Sequence, residues 1–205
     1  MAMSNYDITR DRVRGVFLQY DQQKMIDKFA LKNDNEYIYV TMLRREYRIG
    51  RGTGMIEWSD DGFRTSCEAD FNASLTICDV LCDSKDDCKL SGRFASLQNL
   101  KGMVRVAGPG GELFQPYADR FCGHVEALRE ACCRLGTPVA LPGDVAVRMD
   151  AFPFLPVVLQ FWDADEDFPA ALKFLFDENI LDFMRYETTF YLTSHILARL
   201  TQAPT

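Results

Sequence analysis

The stretch that most constrains what this chain can fold into is 142–200. Within it, Val145-Ala-Val-Arg-Met-Asp-Ala-Phe-Pro-Phe-Leu-Pro-Val-Val-Leu-Gln-Phe-Trp162 passes straight into Asp163-Ala-Asp-Glu-Asp-Phe-Pro169. β-Branched and aromatic residues at that density need a paired neighbour and a covering layer. Segments 145–150 and 157–162 are predicted as two strands of a hairpin. Segment 151–156 is read as their connection, because its two prolines cannot donate to a ladder. Phe168, Leu172, Leu175 and Phe176 are spaced as a helical stripe, and Tyr186, Phe190, Leu197 and Leu200 as another.

The rest of the chain supplies covering helices and a second group of strands. Ile8, Val13, Val16, Phe17, Tyr20, Met25 and Phe29 recur at helical spacing, with a break near Asp21. Segment 36–58 is rich in Tyr, Ile, Val and Thr. It is punctuated by Arg44-Arg-Glu46 and Gly50-Arg-Gly-Thr-Gly54, which predicts a meander of about three strands. Segment 69–81 is predicted as a helix with Phe71, Leu75, Cys78 and Cys82 on one face. Segment 116–135 is predicted as another, with Phe121, Val125, Leu128, Cys132 and Leu135 inward and Gly136 as its stop. Segment 84–111 reads as loop, with one short strand near 103–106. The expected fold class is α+β: an antiparallel sheet formed by the 36–58 meander and the 145–162 hairpin, covered by four or five amphipathic helices. With no repeat or linker, 1–205 is expected to be a single domain.

Composition excludes several function classes. Hydrophobic residues make up 47% of the chain, too many for a disordered one. A net charge of -7 opposes nucleic-acid binding, which depends on clustered cations to neutralise phosphates. Arg44, Arg45, Arg48 and Arg51 are the densest basic group, read either as a solvated sheet edge or as an anion site. No apolar run has the length of a membrane span, so no membrane partner is expected. The amino terminus lacks the basic start and apolar stretch of a secretion signal, and seven cysteines fit reduced thiols better than a disulfide framework. A cytoplasmic location follows as the expectation.

Two groups of residues are candidates for chemistry. Asp163, Asp165, Glu166 and Asp167 precede a predicted helix whose first turn holds Pro169. They read either as caps facing its positive end or as a cluster for a cation or a basic partner. The spacing does not fit an EF-hand, because Phe168 and Phe174 stand where its Gly and Glu belong. Cys122, His124 and Cys133 lie off the apolar stripes and are the thiol and imidazole candidates. Cys78, Cys82 and Cys132 lie on those stripes and are expected in the core. His195 falls beside the densest stripe of its helix and is expected at the surface. No cysteine spacing matches a structural zinc or iron-sulfur site, Gly50, Gly52 and Gly54 lack the Lys-Ser/Thr of a phosphate loop, and no cofactor is expected.

Gly143-Asp144, Pro153-x-x-Pro156, Trp162-Asp-Ala-Asp-Glu-Asp-Phe-Pro169, Leu175-Phe-Asp177 and Glu187 together resemble a prokaryotic family, domain of unknown function 3786. The resemblance is specific in this third and extends weakly over nearly the whole chain. Members carry Gly where Ala164 stands and Glu where Asp167 stands. The resemblance implies an origin among anaerobic bacteria or archaea, where relatives are fused to iron-sulfur modules or encoded near corrinoid and one-carbon metabolism. It brings no reaction with it. Two functions remain open: a non-catalytic accessory or binding protein with a protein partner, or a metal- or thiol-dependent enzyme using 163–167 or Cys122 with His124.

Overall fold

A computed structural model describes residues 5–100 and 114–202. The described residues fall into two compact units. One is drawn from Met1–Cys88 with Leu181–His195, the other from Lys89–Ile180 with Ile196–Thr205.

In the first unit the amino-terminal period resolves into helices α1 (Asn5–Phe17) and α2 (Gln22–Phe29). The break falls where the sequence places it, because the Asp21 carboxylate accepts the backbone N-H groups of Gln23 and Lys24 at 3.0 and 3.1 Å. Strands β1 (Tyr37–Met42), β2 (Arg45–Gly50), β3 (Ile56–Ser59) and β4 (Cys67–Glu68) pair antiparallel in that order. Ile38, Val40 and Met42 alternate inward, opposite a buried Tyr47 and Ile49 on β2. The β1–β2 turn places Leu43 and Arg44 at φ +50° and +62°, a conformation that usually selects Gly or Asn. Complete burial of Leu43 offsets that strain. Helix α3 (Phe71–Asp83) starts at Asp70, whose carboxylate accepts the Ala73 N-H at 2.9 Å, and it packs on α1. Two of the arginine group are paired with acids: Arg45 with Asp60 at 3.1 Å and Arg48 with Glu57 at 2.8 Å. Each guanidinium also stacks on rings, Arg45 on Trp58 and Arg48 on Tyr37 and Phe63.

The second unit is a five-stranded antiparallel sheet ordered β5-β9-β8-β7-β6. Its strands are β5 (Phe94–Ser96), β6 (Gly136–Pro138), β7 (Val145–Phe152), β8 (Leu155–Trp162) and β9 (Ala171–Asp177). Central β8 is buried from Leu155 to Phe161, as its unbroken apolar run requires. Helix α4 (Gln115–Phe121) packs on β9, and α5 (Val125–Leu135) on β7 and β6. Two further helices close the chain: α6 (Ile180–Phe183) and α7 (Tyr186–Thr201), the latter as its stripe predicts. Among the described residues no helix is long and apolar enough to cross a membrane.

The class is α+β, with two antiparallel sheets: the meander and the carboxy-terminal hairpin do not share one. The predicted helix over 168–176 is strand β9. Leu172, Phe174 and Phe176 are buried in alternation with exposed Lys173, a period of two that the helical spacing of Leu172, Leu175 and Phe176 obscured. The hairpin connection shrinks to Pro153 and Phe154. Pro156 lies within β8 opposite Asp150, beside a bulge at Ala151 that tolerates its missing donor. The single helix predicted over 116–135 is two, and β5 lies in what reads as loop. The strand predicted near 103–106 lies outside the described residues.

Candidate functional site

The acidic stretch and the Cys122-Gly-His124 turn, far apart in sequence, meet at the open end of the β7–β8 pair. The antiparallel register sets Val145 opposite Phe161, so the residues flanking both strands come together. Asp144 donates its N-H to the Phe161 carbonyl at 2.8 Å and accepts the Asp163 N-H on Oδ2 at 2.7 Å. Gly143 makes this approach possible. Its φ is +125°, and an added Cβ would lie 2.8 Å from the Phe161 carbonyl oxygen.

Asp163 is the hub. Its Oδ1 accepts the N-H of Gly123 at 2.9 Å and of Ala164 at 3.0 Å. Gly123, at φ +72°, separates α4 from α5 and aims its N-H at that carboxylate. The Gly123 N-H lowers the Asp163 pKa most; the Ala164 N-H, the Cys122 thiol and the nearby His124 imidazole add to it against a smaller desolvation effect. Cys133 is exposed on α5.

Farther along the loop, Asp165 accepts the N-H groups of Asp167 and Phe168 at 2.9 and 2.8 Å, and its own N-H donates to the Phe168 carbonyl at 3.0 Å. This is capping geometry, but it closes an isolated turn between β8 and β9. The helix that the carboxylates were expected to cap does not form. Glu166 and Asp167 are exposed and their carboxylates make no hydrogen bond or ion pair with the described residues. Phe168 between them and Pro169 is 71% exposed. Asp177, at the far end of β9, is fully buried and also serves backbone, accepting from Ser91, Gly92 and Asn179 at 2.8 to 2.9 Å.

Among the described residues, no three of His, Cys, Asp and Glu come together so as to hold a metal ion. Cys78 and Cys132 are buried as expected, but Cys82 is only partly so. His195 departs furthest from expectation: it is 2% exposed within the first unit. Its Nε2 lies 3.1 Å from the Tyr47 hydroxyl and its Nδ1 2.9 Å from Asp70 Oδ2, the latter a close contact that is not aligned as a hydrogen bond. Burial raises the Asp70 pKa, but its contact with His195 and the backbone N-H groups of Ala73 and Asn72 that it faces together outweigh this, so the net shift is downward. Tyr47 is only 1% exposed, so the tie from β2 to α7 is buried, while Asp70 at the start of α3 is exposed on its outer side.

The residues that carry the family resemblance are thus mostly those that build this junction: Gly143 and Asp144 just before β7, and Trp162 to Pro169 from the end of β8 onward. No curated protein and no solved structure matches the chain. The sequence model of the family described as domain of unknown function DUF3786 matches residues 21–199, and the chain belongs to that family.

Proposed function

We propose that this protein is a non-catalytic accessory or binding protein that engages a protein partner through loop 163–170. One observation carries the reading. Where the candidate residues converge, Asp144, Asp163 and Asp165 are committed to backbone N-H groups, while the loop turns Phe168 outward beside the free carboxylates of Glu166 and Asp167 that precede it. A large aromatic presented on a pre-ordered turn suits an apolar socket, and Glu166 and Asp167 suit a basic rim around it. The alternative of a thiol- or metal-dependent enzyme is the weaker reading, because the carboxylates of Asp144, Asp163 and Asp165 at the junction are already engaged by backbone N-H groups. The resemblance to a family of anaerobes motivates a search for the partner among cytoplasmic proteins of corrinoid, one-carbon or iron-sulfur metabolism.

The test places a photoreactive aromatic residue at position 168 and, as control, at Leu141, another exposed apolar side chain. The expected result is an adduct with one identifiable protein from position 168 that is absent from 141 and abolished by Glu166→Lys with Asp167→Lys. Equal adducts from both positions, or adducts indifferent to the charge reversal, contradict the reading.

A further inference from the structure

Twice in the first unit an arginine is held by an aromatic ring together with a carboxylate. The Arg45 guanidinium carbon lies 3.7 Å from the centre of the Trp58 ring, while Nε and Nη2 donate to the two oxygens of Asp60 at 3.2 and 3.1 Å. Arg48 stacks on Tyr37 and Phe63 at 4.3 and 4.7 Å, and its Nε donates to Glu57 at 2.8 Å. The ring face attracts the cation and the carboxylate fixes its orientation. Trp58 and Asp60 stand two residues apart in the chain, the separation of Phe168 and Glu166. Loop 163–170 of the second unit carries the same two components without a cation. Phe168 is 71% exposed, and the carboxylates of Glu166 and Asp167 have no basic partner among the described residues. The next cation along the chain, Lys173, lies over the Trp162 ring, 4.8 Å from its centre.

The polar surface of the loop is made of acceptors. The N-H groups of Asp163, Ala164, Asp165, Asp167 and Phe168 are taken up inside the junction, and Pro169 has none. No Lys, Arg or His occurs between Arg148 and Lys173. What the loop offers outward is a ring face beside two carboxylates. We infer that it is a receptor for an arginine side chain of the protein partner, with the guanidinium over Phe168 and its N-H groups on Glu166 or Asp167. This rests on the docking reading and names the chemistry the partner brings to it. Arginine is specified over lysine because its planar, weakly hydrated guanidinium stacks on a ring and donates to a carboxylate at the same time, whereas an ammonium is a strongly hydrated point charge. The net charge of -7 draws a basic segment toward the chain from a distance.

The test titrates the 205-residue chain with short blocked homopeptides of arginine, lysine and citrulline, the last keeping the shape of arginine without its charge. NMR follows the backbone amides of residues 166–168 and the ring protons of Phe168. The arginine peptide is expected to shift these signals saturably, the lysine peptide to bind more weakly, and the citrulline peptide to leave them unchanged. Phe168→Leu, which keeps apolar bulk but removes the ring face, is expected to weaken the arginine peptide by about two- to fivefold, the scale of an exposed cation–π contact, and to erase its preference over lysine. Glu166→Gln with Asp167→Asn is expected to abolish binding of both. Equal affinity for the arginine and lysine peptides, no loss in Phe168→Leu, or shifts confined to other surfaces would overturn the inference. A partner adduct at position 168 with no arginine response at 166–168 would overturn the inference and leave docking standing. An arginine response without any adduct would support the receptor chemistry and count against the docking reading alone.

Discussion

Gly143 and Asp163 show how single residues hold the junction together. At Gly143 an alanine would have to adopt φ +125° and bring its Cβ to 2.8 Å from the Phe161 oxygen. Gly143→Ala is therefore expected to cost about 1 to 3 kcal/mol in denaturant unfolding. Asp163 has a folded pKa below its ordinary 3.8. Its ionised form stabilises the fold fully above that value, and the contribution is lost as pH falls through the folded value. The stability difference between wild type and Asp163→Ala should accordingly be constant from neutral pH down to the ordinary value and shrink below it. A difference that grows on acidification would show that the carboxylate is not what the Gly123 and Ala164 N-H groups require. Among the thiols, Cys67 and Cys133 are exposed, whereas burial protects Cys78 and Cys132 and pushes each to about 12. Native labelling with a thiol reagent should modify the first two in the folded protein and the second two only on unfolding.

Elements are decided by which period the packing uses. In β9 the side chain of Phe176 is fully buried, and truncating it to Ala should cost about 3 to 5 kcal/mol, read from urea midpoints. Substitution of exposed Lys173 by Thr should change stability by less than about 0.5 kcal/mol, whereas a helix in that place would not separate the two in this alternating way. The segment is short enough that residues 172, 175 and 176 fit a helix as well as 172, 174 and 176 fit a strand. The arbiter is the edge of β8, which needs an antiparallel neighbour, and no local signal carries that information. The long helices were legible because an apolar stripe repeats over three or more turns. The interruption at Cys122-Gly-His124 was not, since the apolar spacing of 4, 3, 4 and 3 runs through it undisturbed. Its cause is the distant Asp163 carboxylate. The candidate site was half legible: Asp163, Cys122 and His124 stand out by chemistry, but their meeting depends on the β7–β8 register. His195 was not legible at all, because its partners Asp70 and Tyr47 come from elements far away in sequence. Replacing His195 by Ala should remove its contact with the Tyr47 hydroxyl, open a gap in the interior and cost about 2 to 4 kcal/mol in the same assay.

Across the whole molecule, polar groups with functional potential are mostly spent on architecture. Asp21 and Asp70 start helices, Asp177 gathers a loop, and Asp144, Asp163 and Asp165 shape the β8–β9 connection. The exposed aromatic on that connection stands apart, because Phe168 contributes little to the fold around it and its exposure has no structural return. That contrast is the reason a docking role is preferred over catalysis for a member of this family. It also makes the role separable from stability, since a surface side chain can be removed without loosening the junction beneath it. The decisive measurement is the affinity of the partner identified by cross-linking at position 168, compared between wild type and Phe168→Ser at matched thermal stability. A loss of roughly thirtyfold or more, the scale of a central aromatic anchor, is expected with the melting temperature unchanged. An affinity equal to wild type would contradict the account.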